Sequence, residues 1–204
     1  KNTLSIFTSQ NPAENGTNGS TKTITYGDNI STADYQNFTA DANNNSAQYN
    51  FNYKHNFNKE GSNIELDVDR NVFESDNPVA FTYPIPQDTK NYEDMNEADR
   101  KRTTVNLDYV NPITENSKLE LGAEARLFNT LILFSSTGES VDSRGNFGPA
   151  PDTAFDYTRD IYSLYATYGN KLNKWTYQVG LRAESVDIDA EAKETFTEGT
   201  TIRI

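Results

Sequence analysis

The chain of 204 residues carries a net charge of −12, no cysteine and one histidine, with 34% hydrophobic residues and a mean hydropathy of −0.80. That charge speaks against nucleic acid as a partner, since no basic surface is there to neutralise phosphates. The lack of cysteine excludes disulfides and thiolate metal sites, and no run approaches the ~18 apolar residues of a membrane helix.

Such polarity would suit a disordered chain, but 12 Tyr, 11 Phe and one Trp fall largely at alternate positions. Low hydropathy with period-two alternation belongs to strands that show only every second residue to lipid. A first strand is predicted over 3–9, followed by a polar external loop over 10–45 with a small hairpin near 21–26. The stretch AQYNFNYKHNFNKEGSNIELDVDR alternates at Tyr49, Phe51, Tyr53 and Phe57, turns over 59–62, and alternates again at Ile64, Leu66 and Val68. Strands over 46–57 and 63–74 follow. After a second loop, 75–101, TTVNLDYVNPITENSKLELGAEARL places Val105, Leu107 and Tyr109 on one face and returns with Leu119, Leu121, Ala123, Ala125 and Leu127. Strands are expected over 102–112 and 118–128. A third loop, 129–158, leads to a hairpin over 159–170 and 174–186. Its apolar face holds Tyr162, Leu164, Ala166 and Tyr168, then Trp175, Tyr177, Val179, Leu181 and Ala183. A fourth loop, 187–199, precedes the start of a strand over 200–204.

Short and long connections thus alternate, as in outer-membrane barrels with short periplasmic turns and long external loops. The expected fold is all-β: an antiparallel up-and-down meander of about eight strands, a segment of a transmembrane β-barrel, with 1–204 in one barrel domain. Tyr53, Phe57, Tyr109, Tyr168, Trp175 and Tyr177 lie on the apolar face near the short turns, where amphipathic rings suit a membrane interface. The bland alternative is an aromatic core of a soluble β-sandwich.

The polar face is charged. Glu65, Asp67, Asp69, Asp108, Glu120, Glu124, Arg126, Gln178, Arg182 and Glu184 are candidates to face the lumen, and plain solvation is the ordinary role of such residues. They recur along strands instead of converging as a catalytic carboxylate pair, so no catalytic residue is assigned. His55 alone cannot make a His cluster, and no Ser/His/Asp arrangement surrounds it. The acidic stretch ESDNPVAFTYPIPQDTKNYEDMNEAD has carboxylates that would suit Ca²⁺, without the spacing of an EF-hand loop. Residues 142–152 lack the strand-then-helix context of a phosphate loop. No metal and no cofactor is assigned.

YNFNYKHNFNKEGSNIELDVD, VNLDYVNPITENSKLELGAEARL and FDYTRDIYSLYATYGNKLNKWTYQVGLRAE resemble the barrel of TonB-dependent outer-membrane receptors of the Bacteroidetes type, in the outer-membrane β-barrel family. The tyrosine-rich IYSLYATY followed by NKW and GLRAE carries most of the likeness. The resemblance implies a barrel of about 22 strands filled by a plug domain of the same parent chain. It also implies contact with TonB through the plug, outer-membrane lipid around the wall, and uptake of a scarce nutrient: an iron chelate, a cobalamin, a glycan or a peptide. With no plug or TonB box in view and no aromatic residue at the end, the chain is expected to be an internal piece of such a barrel. The alternatives are a free-standing small barrel with a structural or adhesion role, and a soluble β-rich binding module.

Overall fold

The computed structural model describes residues 1–27, 31–84, 91–141, 145, 147–195 and 201–203. Nearly all of them are strand: β1 (Asn2–Tyr26), β2 (Ser31–Asn56), β3 (Asn63–Thr82), β4 (Tyr92–Thr114), β5 (Ser117–Ser136), β6 (Glu139–Val141), β7 (Phe147–Pro149), β8 (Asp152–Leu172), β9 (Trp175–Thr195) and β10 (Thr201–Arg203). Eight of these form one antiparallel sheet in the order β1-β2-β3-β4-β5-β8-β9-β10, while β6 and β7, within the β5–β8 connection, pair with each other. The meander predicted from the alternation is therefore the observed topology.

The short turns share one end of the sheet. Between β2 and β3, the Ser62 amide donates to the Lys59 carbonyl at 3.0 Å and the Phe57 amide to the Ser62 carbonyl at 3.0 Å. Gly61 takes a φ of 74° there, a left-handed conformation that glycine adopts without a Cβ penalty. Between β4 and β5 the hydroxyls of Thr114 and Ser117 meet at 2.8 Å. Between β8 and β9 only Asn173 and Lys174 intervene, and Asn173 supplies the positive φ, 56°, that asparagine tolerates best after glycine.

The turns are staggered, and the stagger carries information. Asn56, the end of β2, is level with Asn63, Val110, Glu120 and Thr167 across the ladder. Yet β8 continues from Thr167 to Leu172 before it turns. With the turns in one plane, this offset over four strand-to-strand steps, at about 3.3 Å per residue and about 4.8 Å per step, gives a strand tilt of about 41°. Closed barrels require roughly 35–45°.

The seven long strands β1–β5, β8 and β9 are 20 to 26 residues long, about twice the length expected from the alternation. The loops placed at 10–45, 75–101, 129–158 and 187–199 are corrected accordingly. Residues 10–26 and 31–45 belong to β1 and β2, and 21–26 is the end of β1, not a separate hairpin. Residues 75–82 and 92–101 belong to β3 and β4, residues 129–136 and 152–158 to β5 and β8, and 187–195 to β9. Residues 196–199, and 200 and 204 of the final strand, lie outside the described residues.

The reason is solvation. Where both faces of a strand are wet, the alternation that marks a strand in sequence fades while backbone pairing continues. Even the prolines fit. Pro12 lies on the edge strand β1, where a missing N–H is tolerated. Pro78 sits where the β2–β3 ladder is interrupted between Val79 and Asp76.

Among the described residues no hydrophobic side chain is buried; Leu181 and Trp175 are each 79% exposed. A soluble sheet covers its apolar face with a second layer. Among the described residues no second layer covers this sheet, and the expected aromatic core is not found there.

Candidate functional site: the polar wall

Cross-strand partners share a face, so the register sorts every side chain. One row reads Leu4, Tyr53, Leu66, Leu107, Ala123, Leu164, Ala183, and its neighbour two residues up reads Ile6, Phe51, Val68, Val105, Ala125, Tyr162, Ser185. The rows that alternate with them are polar: Lys54, Glu65, Asp108, Gly122, Tyr165, Arg182 just below the first, then Asn52, Asp67, Asn106, Glu124, Ser163, Glu184 between the two. On β8 the apolar face runs from Leu172 to Tyr162 before reaching Asp160. At about 3.3 Å per residue and the tilt above, this is a band about 25 Å tall, the height of an outer-membrane barrel's lipid-facing belt.

All ten polar-face candidates share one face. Glu65, Asp108 and Arg182 lie in one row, Asp67, Glu124 and Glu184 in the next, and Asp69 and Arg126 in a third; Glu120 and Gln178 lie nearer the turns. They are tied together. Arg182 Nη2 reaches Glu124 Oε2 at 2.5 Å, Glu184 Oε1 at 2.8 Å and Ser163 Oγ at 2.9 Å. Arg126 meets Glu124 at 3.1 Å and Glu184 at 3.2 Å, and the Ser163 hydroxyl donates to Glu184 at 2.8 Å. Two guanidinium groups thus balance two carboxylates around a serine that is only 3% exposed.

The remaining acids are met mostly by neutral donors. Asn52 donates to Glu65 at 2.9 Å and Asp67 at 3.1 Å, and Asn50 to Asp69 at 3.0 Å. Lys54 adds a 2.8 Å ion pair to Glu65, and Lys118 one of 2.7 Å to Glu120. Tyr165 donates its hydroxyl to Asp108 and lies 5.6 Å beneath the Arg182 guanidinium.

Tyr165, Ser163, Asn52 and Lys54 were not picked out from sequence. The available signal was Gly122: a glycine inside a strand leaves a gap that a cross-strand ring fills. Tyr165 is its direct partner, and its ring occupies the space a Cβ would take.

The six aromatics picked for the interface all lie on the apolar face at the short-turn end. Phe57 stacks edge-on against His55 at 4.7 Å and Tyr109 at 6.1 Å, and Tyr168 lies 6.5 Å from Tyr177. Tyr53, Tyr109 and Tyr168 sit higher than Phe57, Trp175 and Tyr177, so the rings make two tiers and not a single ring. Far above them, on the polar face, Gln36 donates to Tyr83 at 2.8 Å. Burial, with Tyr83 and Asp94 nearby, raises the Tyr92 phenol above its ordinary range.

The wall offers ion pairs and hydrogen bonds already made. Among the described residues no group of three or more His, Asp or Glu side chains gathers as around a metal ion.

The sequence matches the outer membrane protein beta-barrel family over residues 55–201. Comparison with curated proteins gave no match. Among solved structures, the chain is similar to the ferric citrate transporter FecA in its unliganded form, with 11% identity and a TM-score of 0.34 over 100% of this chain. The chain spans 39% of the length of that one. The apolar belt, the tilted meander and the match over most of its length agree: the chain belongs to the outer membrane protein beta-barrel family, and its place is the bacterial outer membrane.

Proposed function

We propose that this chain is part of the barrel wall of a TonB-dependent receptor that takes up a scarce nutrient, with its polar face lining the lumen and touching a plug. The observation that carries the reading is that the sheet is open. Among the described residues β1 is hydrogen-bonded only to β2, and β9 and β10 do not return to it, although eight strands suffice to close a small barrel. An open edge inside a membrane leaves N–H and C=O groups with no water to satisfy them. Further strands therefore complete the wall. A larger barrel has a lumen wide enough to need filling, and a charged wall whose ion pairs are internally balanced suits contact with a plug and passing cargo. The ten polar-face residues named above are the lumen-facing set under this reading, and the two aromatic tiers mark the periplasmic interface.

The test is a photo-reactive amino acid at position 124 or 182 of the intact protein in cells. Cross-links to a plug, together with growth on a limiting nutrient that disappears when TonB is deleted, support the proposal. An intact protein that closes with eight strands and has no TonB-dependent phenotype contradicts it and favours a structural barrel.

A further inference from the structure

Above the balanced network, the polar face changes character. Arg102, Phe128 and Arg159 are direct cross-strand neighbours on β4, β5 and β8. Arg100 stands one row further up, opposite Phe73 on β3 and Thr130 on β5. The rings hold the guanidinium groups: Arg159 lies 4.5 Å and Arg102 5.4 Å from the Phe128 centroid, and Arg100 lies 5.7 Å from that of Phe73. Such stacking uses the guanidinium's flat face and leaves its N–H edges free.

Those edges lack counter-charges. Among the described residues no carboxylate lies within ion-pair distance of Arg100, Arg102 or Arg159, whereas Arg126 and Arg182 have two carboxylate partners each. Arg159 Nε is buried without any hydrogen-bond partner. Three like charges in neighbouring rows of a protein with a net charge of −12 repel one another unless an anion sits between them.

There is room for one. A cavity of about 390 Å³ is lined by Arg100, Arg102, Phe73, Phe128, Asn71 and Gln48 among others, within the ~300–1,000 Å³ range of small-molecule sites; Arg159 is not part of that lining and stands beyond Phe128 on β8. The two amides add neutral donors. Its height also fits. Arg102 lies twelve residues up β4 from Thr114, and Arg159 thirteen up β8 from Leu172. At about 3.3 Å per residue and the tilt above, that is about 30 Å from the turn plane, just beyond the apolar band. On the opposite face at this level stand Arg70 and Asp160, not lipid-compatible side chains.

We propose that Arg100 and Arg102, held by Phe73 and Phe128, bind a small soluble anion bearing two or more carboxylate or phosphate groups at the external mouth of the lumen, with the charge of Arg159 beyond Phe128 adding to the attraction. A single carboxylate is answered by one guanidinium fork; two forks side by side on β4, with a third positive charge beyond Phe128, call for a multivalent anion. The uptake reading supplies the purpose of this site, while its chemistry stands on the arginines alone.

The experiment is isothermal titration of the intact protein in detergent at low salt, with propane-1,2,3-tricarboxylate, pyrophosphate and acetate as probes. The multivalent probes bind and acetate does not; a preference for the tricarboxylate or for pyrophosphate assigns the natural anion to organic acids or to phosphates. Arg100→Gln and Arg102→Gln each weaken binding at least tenfold, Arg159→Gln and Arg102→Lys weaken it less, and added salt weakens it throughout. Arg70→Gln, at nearly the same height on the opposite face, binds as wild type. Each variant is first shown to keep the wild-type urea midpoint. No binding at millimolar probe, or equal binding by Arg100→Gln, Arg102→Gln and wild type, overturns the site. Anion binding lost in these variants of a protein that transports nothing keeps the site and removes the uptake reading; TonB-dependent uptake without anion binding does the reverse.

Discussion

Gly122→Ala tests whether the polar wall is held by the ring of Tyr165. In a strand interior, alanine is ordinarily better than glycine by roughly 0.5–1 kcal/mol, because glycine loses more backbone freedom on folding. Here the added methyl group overlaps the Tyr165 ring carbons, and β4 to β9 hold the backbone on either side. The ring must lift. It then gives up its hydrogen bond to Asp108, worth about 1.5 kcal/mol at the low end of the range for a charged acceptor, since the site is wet. It also gives up packing on the glycine, about 1 kcal/mol for ~40 Å² of apolar contact. Set against the backbone gain, the net effect is a loss of about 1.5–2 kcal/mol. The assay is the urea midpoint of the intact protein in micelles, measured for Gly122→Ala, Tyr165→Ala and the double variant. Without the ring, Gly122→Ala should become neutral or stabilising. A stabilised single variant, or the same cost with and without Tyr165, would refute the reasoning.

Three further outcomes are expected. Leu181→Arg places a charge near the middle of the apolar band and should cost about 2–4 kcal/mol, whereas Asp187→Arg, above the band on the same face, should cost about 0–1 kcal/mol; equal urea midpoints for the two would contradict the band. Ser163→Ala removes the hydroxyl between Arg182 and Glu184 and should lower stability by about 1 kcal/mol, read from the same unfolding curve. Gly61→Ala must hold a φ of 74° with its Cβ 3.0 Å from Pro112, and should cost about 1–2 kcal/mol, seen as faster unfolding in stopped-flow traces.

Which side chains share a face was legible in the sequence because one face must meet lipid. Leu119, Leu121 and Ala123 against Glu120 and Glu124 leave one register, and a slip of one residue would put carboxylates into hydrocarbon. The same pressure ends where the membrane ends. Around Asn43–Asn45 and Asp94–Asp99 both faces are wet, nothing distinguishes strand from loop in composition, and the long ladders of β1 to β4 went unseen. Tyr165 was hidden for another reason: its face followed from parity, but its role depends on Gly122 across the ladder, 43 positions away in the chain. The arginine cluster was missed because its members fall in the stretches taken for loop or at the edge of a predicted strand, and only the register of β4, β5 and β8 brings them together.

The central claim is that one face of this sheet meets lipid and the other meets water. Single cysteines at positions 181 and 182 of the otherwise cysteine-free chain, in the intact protein in its native membrane, separate the two directly. The account predicts that a membrane-impermeant maleimide modifies position 182 and not 181, and that a fluorophore at 181 is quenched by spin-labelled lipid while one at 182 is not. Modification of 181 by the water-borne reagent, with 182 quenched by lipid, would mean that the faces are reversed and the account is wrong.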